Sequence, residues 1–175
     1  MLKDKLDPDK IRTNLRTERI GSRIVVHDRT SSTSDIAAEY ARNPANDGLV
    51  VFAEEQAAGR GRAGATWHSR HGDSLLFSVV LIGSELANEL FSLTVAVAVA
   101  EAIGPIGGRR VRIKWPNDIL LDGRKLGGIL LESRNSGANR AHVVGNGINC
   151  HQTREDFPPE IRDLVERVEV QRDIY

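Results

Sequence analysis

The chain is 175 residues long and 40% apolar, and its 24 basic residues balance 24 acidic ones. That length sets the expectation of one domain large enough to bury a core. The balanced charge leaves no global field to draw the protein to nucleic acid or an anionic membrane, so the basic charge that matters is local. Cys150 is the only cysteine, which excludes an intrachain disulfide and a cysteine-based metal site.

Residues 1–20 read as a short charged helix or arm, with Ile11 and Leu15 at helical spacing. The first residues are charged and lack the apolar core of a signal peptide, so a cytoplasmic protein is expected. Residues 23–27 (RIVVH) read as a first strand. The cluster Ser31 to Asp35 then supplies N-cap candidates for a helix over 36–41, which Asn43-Pro44 ends. Residues 49–53 (LVVFA) and 74–82 read as buried strands. Residues 85–103 fit either an alternating strand or a helical stripe of Leu90, Leu93, Val97 and Ala100. Their length, their alanine content and a stop at Gly104 favour a central buried helix. Glu85, Glu89 and Glu101 make this segment too polar to span a bilayer comfortably. Residues 111–115 and 118–121 are strand pieces broken at Pro116, and Asp122-Gly123 is a tight-turn signal leading into a strand over 125–131. A further strand covers 141–149. Ile161, Leu164, Val165 and Val168 mark one side of an amphipathic helix expected over 158–175. Hairpins mixed with longer helices predict an α+β fold, a mixed and largely antiparallel sheet covered by helices.

Between the strands at 49–53 and 74–82 lies Gln56-Ala57-Ala58-Gly59-Arg60-Gly61-Arg62-Ala63-Gly64-Ala65-Thr66-Trp67. A loop between core strands has no packing reason to space two arginines with glycines. Gly59, Gly61 and Gly64 let the backbone bend and bring N–H groups against an anion. Arg60 and Arg62 add permanently charged forks suited to carboxylate and phosphate oxygens. Trp67 offers a flat face to cover a base or ring. His68 and His71 lack a strong third ligand and read as loop surface, so no metal site is expected. Gly127-Gly128 weakens its strand unless something approaches the backbone closely, and a ligand is the natural candidate.

The arginine loop, followed by Lys114-Trp115-Pro116-Asn117-Asp118 and by Arg124-Lys125-Leu126-Gly127-Gly128-Ile129-Leu130, resembles the biotin protein ligases from about residue 26 to about residue 149. The triple of motifs in that order is specific. The resemblance implies an ATP-dependent ligase that makes biotinyl-5′-AMP from biotin and ATP with Mg²⁺. It then transfers biotin to a lysine of a biotin carboxyl carrier protein domain of a biotin-dependent carboxylase. It also implies the biotin/lipoyl ligase-like fold and a single catalytic domain over 1–175. Within it, 1–20 is an arm and 155–175 the start of a truncated C-terminal helical region.

By the same resemblance, Arg60, Arg62 and Lys125 neutralise the anions that meet during adenylation, with Lys125 between carboxylate and α-phosphate. Asp118 is the candidate base for the incoming amine, because a free lysine amine has a pKa near about 10.4. Biotin is implied to lie against Ser32, Thr33, Ser34, Gln56, Gly59, Gly61 and Gly128 as well as these cations. Trp67, Asn117 and Asn149, with Lys125, are implied for the nucleotide. The loop is expected to be mobile when empty and to order over the adenylate. The chain departs from the family pattern at Ser34, where relatives have asparagine, and at Ala65, where many have a basic residue. Some relatives carry an N-terminal winged helix; twenty residues are too few for one, so no DNA binding is expected. No membrane partner is expected, and a homodimer is left open. Two other readings stand beside the ligase: a non-catalytic module holding biotin or its adenylate, and a lipoate- or octanoate-type acyltransferase.

Overall fold

The computed structural model of the chain describes residues 5–83, 88–108, 110–136 and 139–168. A seven-residue helix α1 (Pro8–Asn14) opens it. Asp7 caps the helix by accepting from the backbone N–H groups of Asp9 and Lys10 at 2.9 and 3.2 Å, and Pro8 stands where no donor is needed. Leu15, expected on its apolar side, is instead the extended residue that ends it.

Strand β1 (Ile24–Thr30) runs parallel to β2 (Val50–Gln56), and helix α2 (Thr33–Tyr40) brings the chain back between them. Every later pairing is antiparallel: β3 (Ser74–Ile82) on β2, β7 (Asn139–Asn149) on β3, β6 (Arg124–Ser136) on β7, β5 (Asp118–Leu121) on β6 and β4 (Val111–Lys114) on β5. The seven strands lie in the order β1-β2-β3-β7-β6-β5-β4. This is the mixed, largely antiparallel α+β sheet that the patterning predicts. Asp122 and Gly123, at φ 49° and 85°, make the tight turn that joins β5 to β6.

Alternation along the strands divides the core into two layers. Val51, Val80, Ala141 and Val143 face α2 with Ala37 and Ala41. Their neighbours Val50, Val79 and Val144 face the other way, with Ile119, Leu121, Leu126 and Ile129, towards helix α3 (Asn88–Gly107).

Helix α3 corrects two expectations. It passes Gly104 and Pro105 and stops only before Gly108, whose φ of 55° is the left-handed turn-off that glycine permits. Nor is it buried. Phe91, Ala96 and Ile103 pack inwards, but Leu90 and Ile106 are 53% and 59% exposed, and Leu93 and Val97 are exposed as well. A helix apolar all round shows no preferred side in its periodicity, and here only one side meets the sheet. By length and composition alone this helix would also pass for a membrane span, contrary to the reading from its glutamates. Positions 85–87 of the expected helix lie outside the described residues.

The helix expected over 158–175 does not form over 158–168; the remainder lies outside the described residues. Residues 159–164 turn, and the chain then runs extended across the ends of β6 and β7. Lys125 N–H donates to Leu164 C=O at 2.7 Å, Glu166 N–H to Lys125 C=O at 2.8 Å and Val168 N–H to Asn149 C=O at 3.0 Å. Strand-end carbonyls and amides left open by the sheet outcompete the local helix for these backbone groups.

Candidate active site

The site is built on the α2 face of the sheet. Ser32 caps α2, accepting from Ser34 N–H at 3.3 Å, and this brings Thr33 and Ser34 down onto the strands, buried. Thr33 donates twice to the Gln56 side-chain carbonyl, from its N–H at 2.7 Å and from its hydroxyl at 3.0 Å. Its hydroxyl also meets Ser78 Oγ at 2.8 Å, and Ser34 Oγ meets the same Ser78 at 3.1 Å. Three hydroxyls and one amide thus form a joined polar floor. Gly145 makes room for it: a Cβ there would stand 2.5 Å from Ser34 Oγ.

The glycine loop folds over this floor as a small hairpin, with Gly61 N–H donating to Ala65 C=O and Trp67 N–H to Gly59 C=O at 2.9 Å. Its far end is seated by Trp67. A Cβ on Gly147 would fall 2.6 Å from the indole ring, and one on Gly128 3.5 Å from it. The close neighbour that Gly147 admits is therefore the loop's own tryptophan, whereas at Gly128 the ring stands at ordinary contact distance. Gly127 answers a different need, since a Cβ there would meet Gly147 C=O at 2.9 Å. The Trp67 indole N–H is buried among these groups with no hydrogen-bond partner, a donor left for a ligand to satisfy. Arg60 reaches out from the loop to two carboxylates, Asp35 on α2 and Glu132 on β6, the latter at 3.1 Å. The hydrogen bond it donates to Asp35 pushes its guanidinium pKa further up. No ion pair or side-chain hydrogen bond holds Arg62 among the described residues, and it is exposed.

The third wall is the β4–β5–β6 meander. Lys125 Nζ lies 2.7 Å from Asp118 Oδ1, so the expected cation and the expected base are partners. Asn117 pins the turn before Asp118 to β6: its side-chain N–H donates to Ile129 C=O at 3.0 Å and its carbonyl accepts from Ile129 N–H at 2.9 Å.

These parts enclose one cavity of about 250 Å³, lined by Ser32, Thr33, Ser34, Gln56, Arg60, Gly61, Arg62, Trp67, Asn117, Asp118, Lys125 and Gly128. Two residues of the expected set stand apart. Gly59 does not line the cavity; it lets the chain pass close to Trp67 C=O, 2.8 Å from where its Cβ would be. Asn149 is buried, and its amide donates to Glu166 C=O at 2.9 Å and accepts from Gln152 at 3.3 Å, away from the cavity. Sequence reasoning missed Ser78, Gly145 and Gly147. A lone serine within the apolar run 75–82 was the available signal for the first. His71 faces Asp28 at 3.3 Å, and no cluster of metal-ligating side chains occurs among the described residues. Burial pushes the Cys150 thiol pKa up, away from a reactive thiolate.

Comparison with known proteins fits this geometry. The chain is 41% identical over 164 residues to the bifunctional ligase/repressor BirA of Bacillus subtilis, a match covering 91% of this chain and 50% of that protein. It is 31% identical over 176 residues to the biotin–[acetyl-CoA-carboxylase] ligase of Mycobacterium tuberculosis, covering 94% of this chain and 65% of the other. The chain thus spans about half to two thirds of the length of these curated relatives. Among solved structures, the biotin protein ligase of Aquifex aeolicus in complex with biotin and ATP superposes with a TM-score of 0.69 at 30% identity, over 83% of this chain and 59% of that one. A lipoate-protein ligase A bound with ATP shares the fold at 16% identity and a TM-score of 0.63. The model of the biotin/lipoate A/B protein ligase family matches residues 26–149, the stretch from β1 to the end of β7 that builds the cavity, and the chain belongs to that family.

Proposed function

We propose that residues 1–175 act as a single catalytic domain of an ATP-dependent biotin protein ligase. In the first step the biotin carboxylate attacks the α-phosphorus of ATP and pyrophosphate leaves, giving biotinyl-5′-AMP. In the second a lysine amine of a biotin carboxyl carrier domain attacks the acyl carbon and AMP leaves. The observation that carries this reading is the convergence of Arg62 and Lys125, from two separate elements, on a cavity with a hydroxyl-and-amide floor.

The floor of Thr33, Ser34 and Gln56 suits the ureido end of biotin, because hydroxyls and an amide can both donate and accept. Lys125 stands where carboxylate meets α-phosphate and neutralises charge that grows on the phosphoryl oxygens. Asp118, already its partner at 2.7 Å, receives the proton of the incoming amine once Lys125 turns to the phosphate. Trp67 and Asn117, both in the cavity lining, face the nucleotide, the indole N–H offering a hydrogen bond. Mg²⁺ would be carried by the triphosphate and supply charge neutralisation there, and Asn117 and Asp118, which line the cavity, could offer it oxygen donors; one or two protein oxygens suit that ion.

The test is to incubate the purified chain with biotin, ATP and Mg²⁺ and measure pyrophosphate, then biotinyl-AMP by mass, then biotin on a carrier domain. Pyrophosphate release that needs biotin and is not supported by lipoate is expected. Release with lipoate alone would move the chain to the acyltransferase side of the family, and binding of biotin without pyrophosphate would make it a binding module.

A further inference from the structure

Arg60 and Arg62 sit two residues apart in the same loop, yet their surroundings differ. Arg60 places one arm on Asp35, in the first turn of α2, and the other on Glu132, on β6, at 3.1 Å. Those carboxylates belong to two different elements beside the cavity, neither of them in its lining, and Arg60 bridges them. Elsewhere the loop is tied at its ends: Ala57 and Ala58 N–H donate to Thr30 and Ser31 C=O at 2.8 and 2.9 Å, and Trp67 seats on Gly147. Between these ends, among the described residues, the Arg60 side chain supplies the ion pairs that join the stem of the loop's hairpin to α2 and β6. With Asp35 and Glu132 on it, and Arg134 sharing Glu132 at 3.6 Å, the charge of Arg60 is neutralised and offers little attraction to a substrate carboxylate or phosphate. Arg62, without a carboxylate partner among the described residues, carries no such screen.

We propose that Asp35 and Glu132 are positioning residues: they clasp Arg60 and fix the glycine loop across the cavity, so that Arg62, not Arg60, is the loop cation that meets substrate. The second half rests on the ligase reading; the clasp itself does not. Glu132 also lies 3.6 Å from Arg134, so its charge is shared, and Asp35 is the stronger of the two anchors.

The clasp is tested first on the ligand-free chain, by the rate of trypsin cleavage at Arg62. Asp35→Asn and Glu132→Gln keep shape and remove charge, and together they should speed cleavage about tenfold, as expected for releasing a locally ordered segment held by two partly exposed ion pairs. In an Arg60→Ala background the same substitutions should add nothing. Unchanged cleavage, or an equal acceleration with Arg60 already absent, overturns the clasp. Unfolding as the cause is checked by the melting temperature, and the two single substitutions give the same reading should the double one fail to fold. The second readout is kinetic. Asp35→Asn should raise the KM for biotin with kcat for pyrophosphate release largely kept, whereas Arg62→Ala should lower kcat. A kcat loss from Asp35→Asn matching that of Arg62→Ala overturns the division of labour. If the unmodified chain releases no biotin-dependent pyrophosphate, the ligase reading falls while the trypsin result still decides the clasp.

Discussion

The glycine loop and the β5–β6 hairpin both bring cations to the cavity, and they hold them by different means. On the hairpin, Lys125 and Asp118 project from hydrogen-bonded strands, on either side of a register shift between Ile119 and Leu120, and Asn117 is bonded to β6 through both its backbone and its side chain. In the loop, the backbone bonds close a small hairpin on itself; side-chain charges tie Arg60 to α2 and β6, and none tie Arg62 among the described residues. Backbone pairing fixes an atom's position far more tightly than a partly exposed ion pair does. The hairpin is therefore suited to the group that must meet the reacting atoms, and the loop to a cover that adjusts.

That ranking makes Lys125→Ala the largest expected effect. Removing one well-placed electrostatic group typically lowers a rate about a hundred- to thousandfold, so biotin-dependent pyrophosphate release should fall by that much. Arg62→Ala should cost less. The reverse order would place the critical cation on the loop and undo the comparison.

Asp118→Asn should act on the second step. It keeps shape and a hydrogen bond to Lys125 but cannot accept a proton. Transfer to the carrier lysine should slow on the order of a hundredfold, while pyrophosphate release is largely kept. The defect should shrink as pH rises towards the free amine's pKa of about 10.4, because more of the amine is then neutral without help. Measuring the two steps separately at two pH values checks both statements. Loss of pyrophosphate release as well would mean that Asp118 serves chiefly to hold Lys125.

How far the sequence reveals this site follows the range of the interactions. The tight turn at Asp122-Gly123, the cap at Ser32 and the apolar runs of β2 and β3 are written in neighbouring residues, and they appear where expected. The motif residues of the loop and hairpin also converge as expected. Ser78 could not be assigned to the floor from its own strand, because its partners Thr33 and Ser34 are more than forty positions away in the chain. Gly127-Gly128 signalled a close approach, but what a Cβ on Gly127 would meet is the Gly147 carbonyl of the next strand, and it is Gly147 that admits Trp67. The exposed side of α3 and the extended course of 165–168 depend on what packs nearby, which local periodicity does not encode.

The seating of Trp67 gives a smaller, structural test of the same comparison. Gly147→Ala would set a methyl group 2.6 Å from the indole. Overpacking of this kind typically costs about 1–3 kcal/mol, here divided between folding and the seating of the loop. Trypsin cleavage at Arg62 should rise, and the Trp67 fluorescence should shift towards that of exposed indole. The Lys125–Asp118 geometry on the hairpin should be spared.

The smallest effect belongs to an ion pair that repeats the chemistry of Arg60 away from the cavity. Arg19 donates to Asp47 with two arms at 2.7 and 2.9 Å, and Asp47 also accepts from Ile82 N–H at 2.8 Å. The hydrogen bond from Arg19 is the main reason the Asp47 carboxyl lies below its ordinary pKa. A carboxyl depressed in the folded state adds stability above its unfolded pKa and loses it as pH falls through the folded value. Arg19 is 53% exposed, so solvent screening limits the gain, and Asp47→Asn should destabilise by only about 0.5–1 kcal/mol at neutral pH. In urea titrations the gap between variant and parent should begin to close as pH drops below the ordinary carboxylate pKa of about 3.9, and vanish once pH passes the lowered folded value and the parent's Asp47 is protonated. Loop cleavage and pyrophosphate release should be unchanged. If Asp47→Asn instead sped trypsin cleavage at Arg62 as much as Asp35→Asn does, the loop would be responding to general loosening of the fold, and the contrast between clasped loop and registered hairpin would lose its basis.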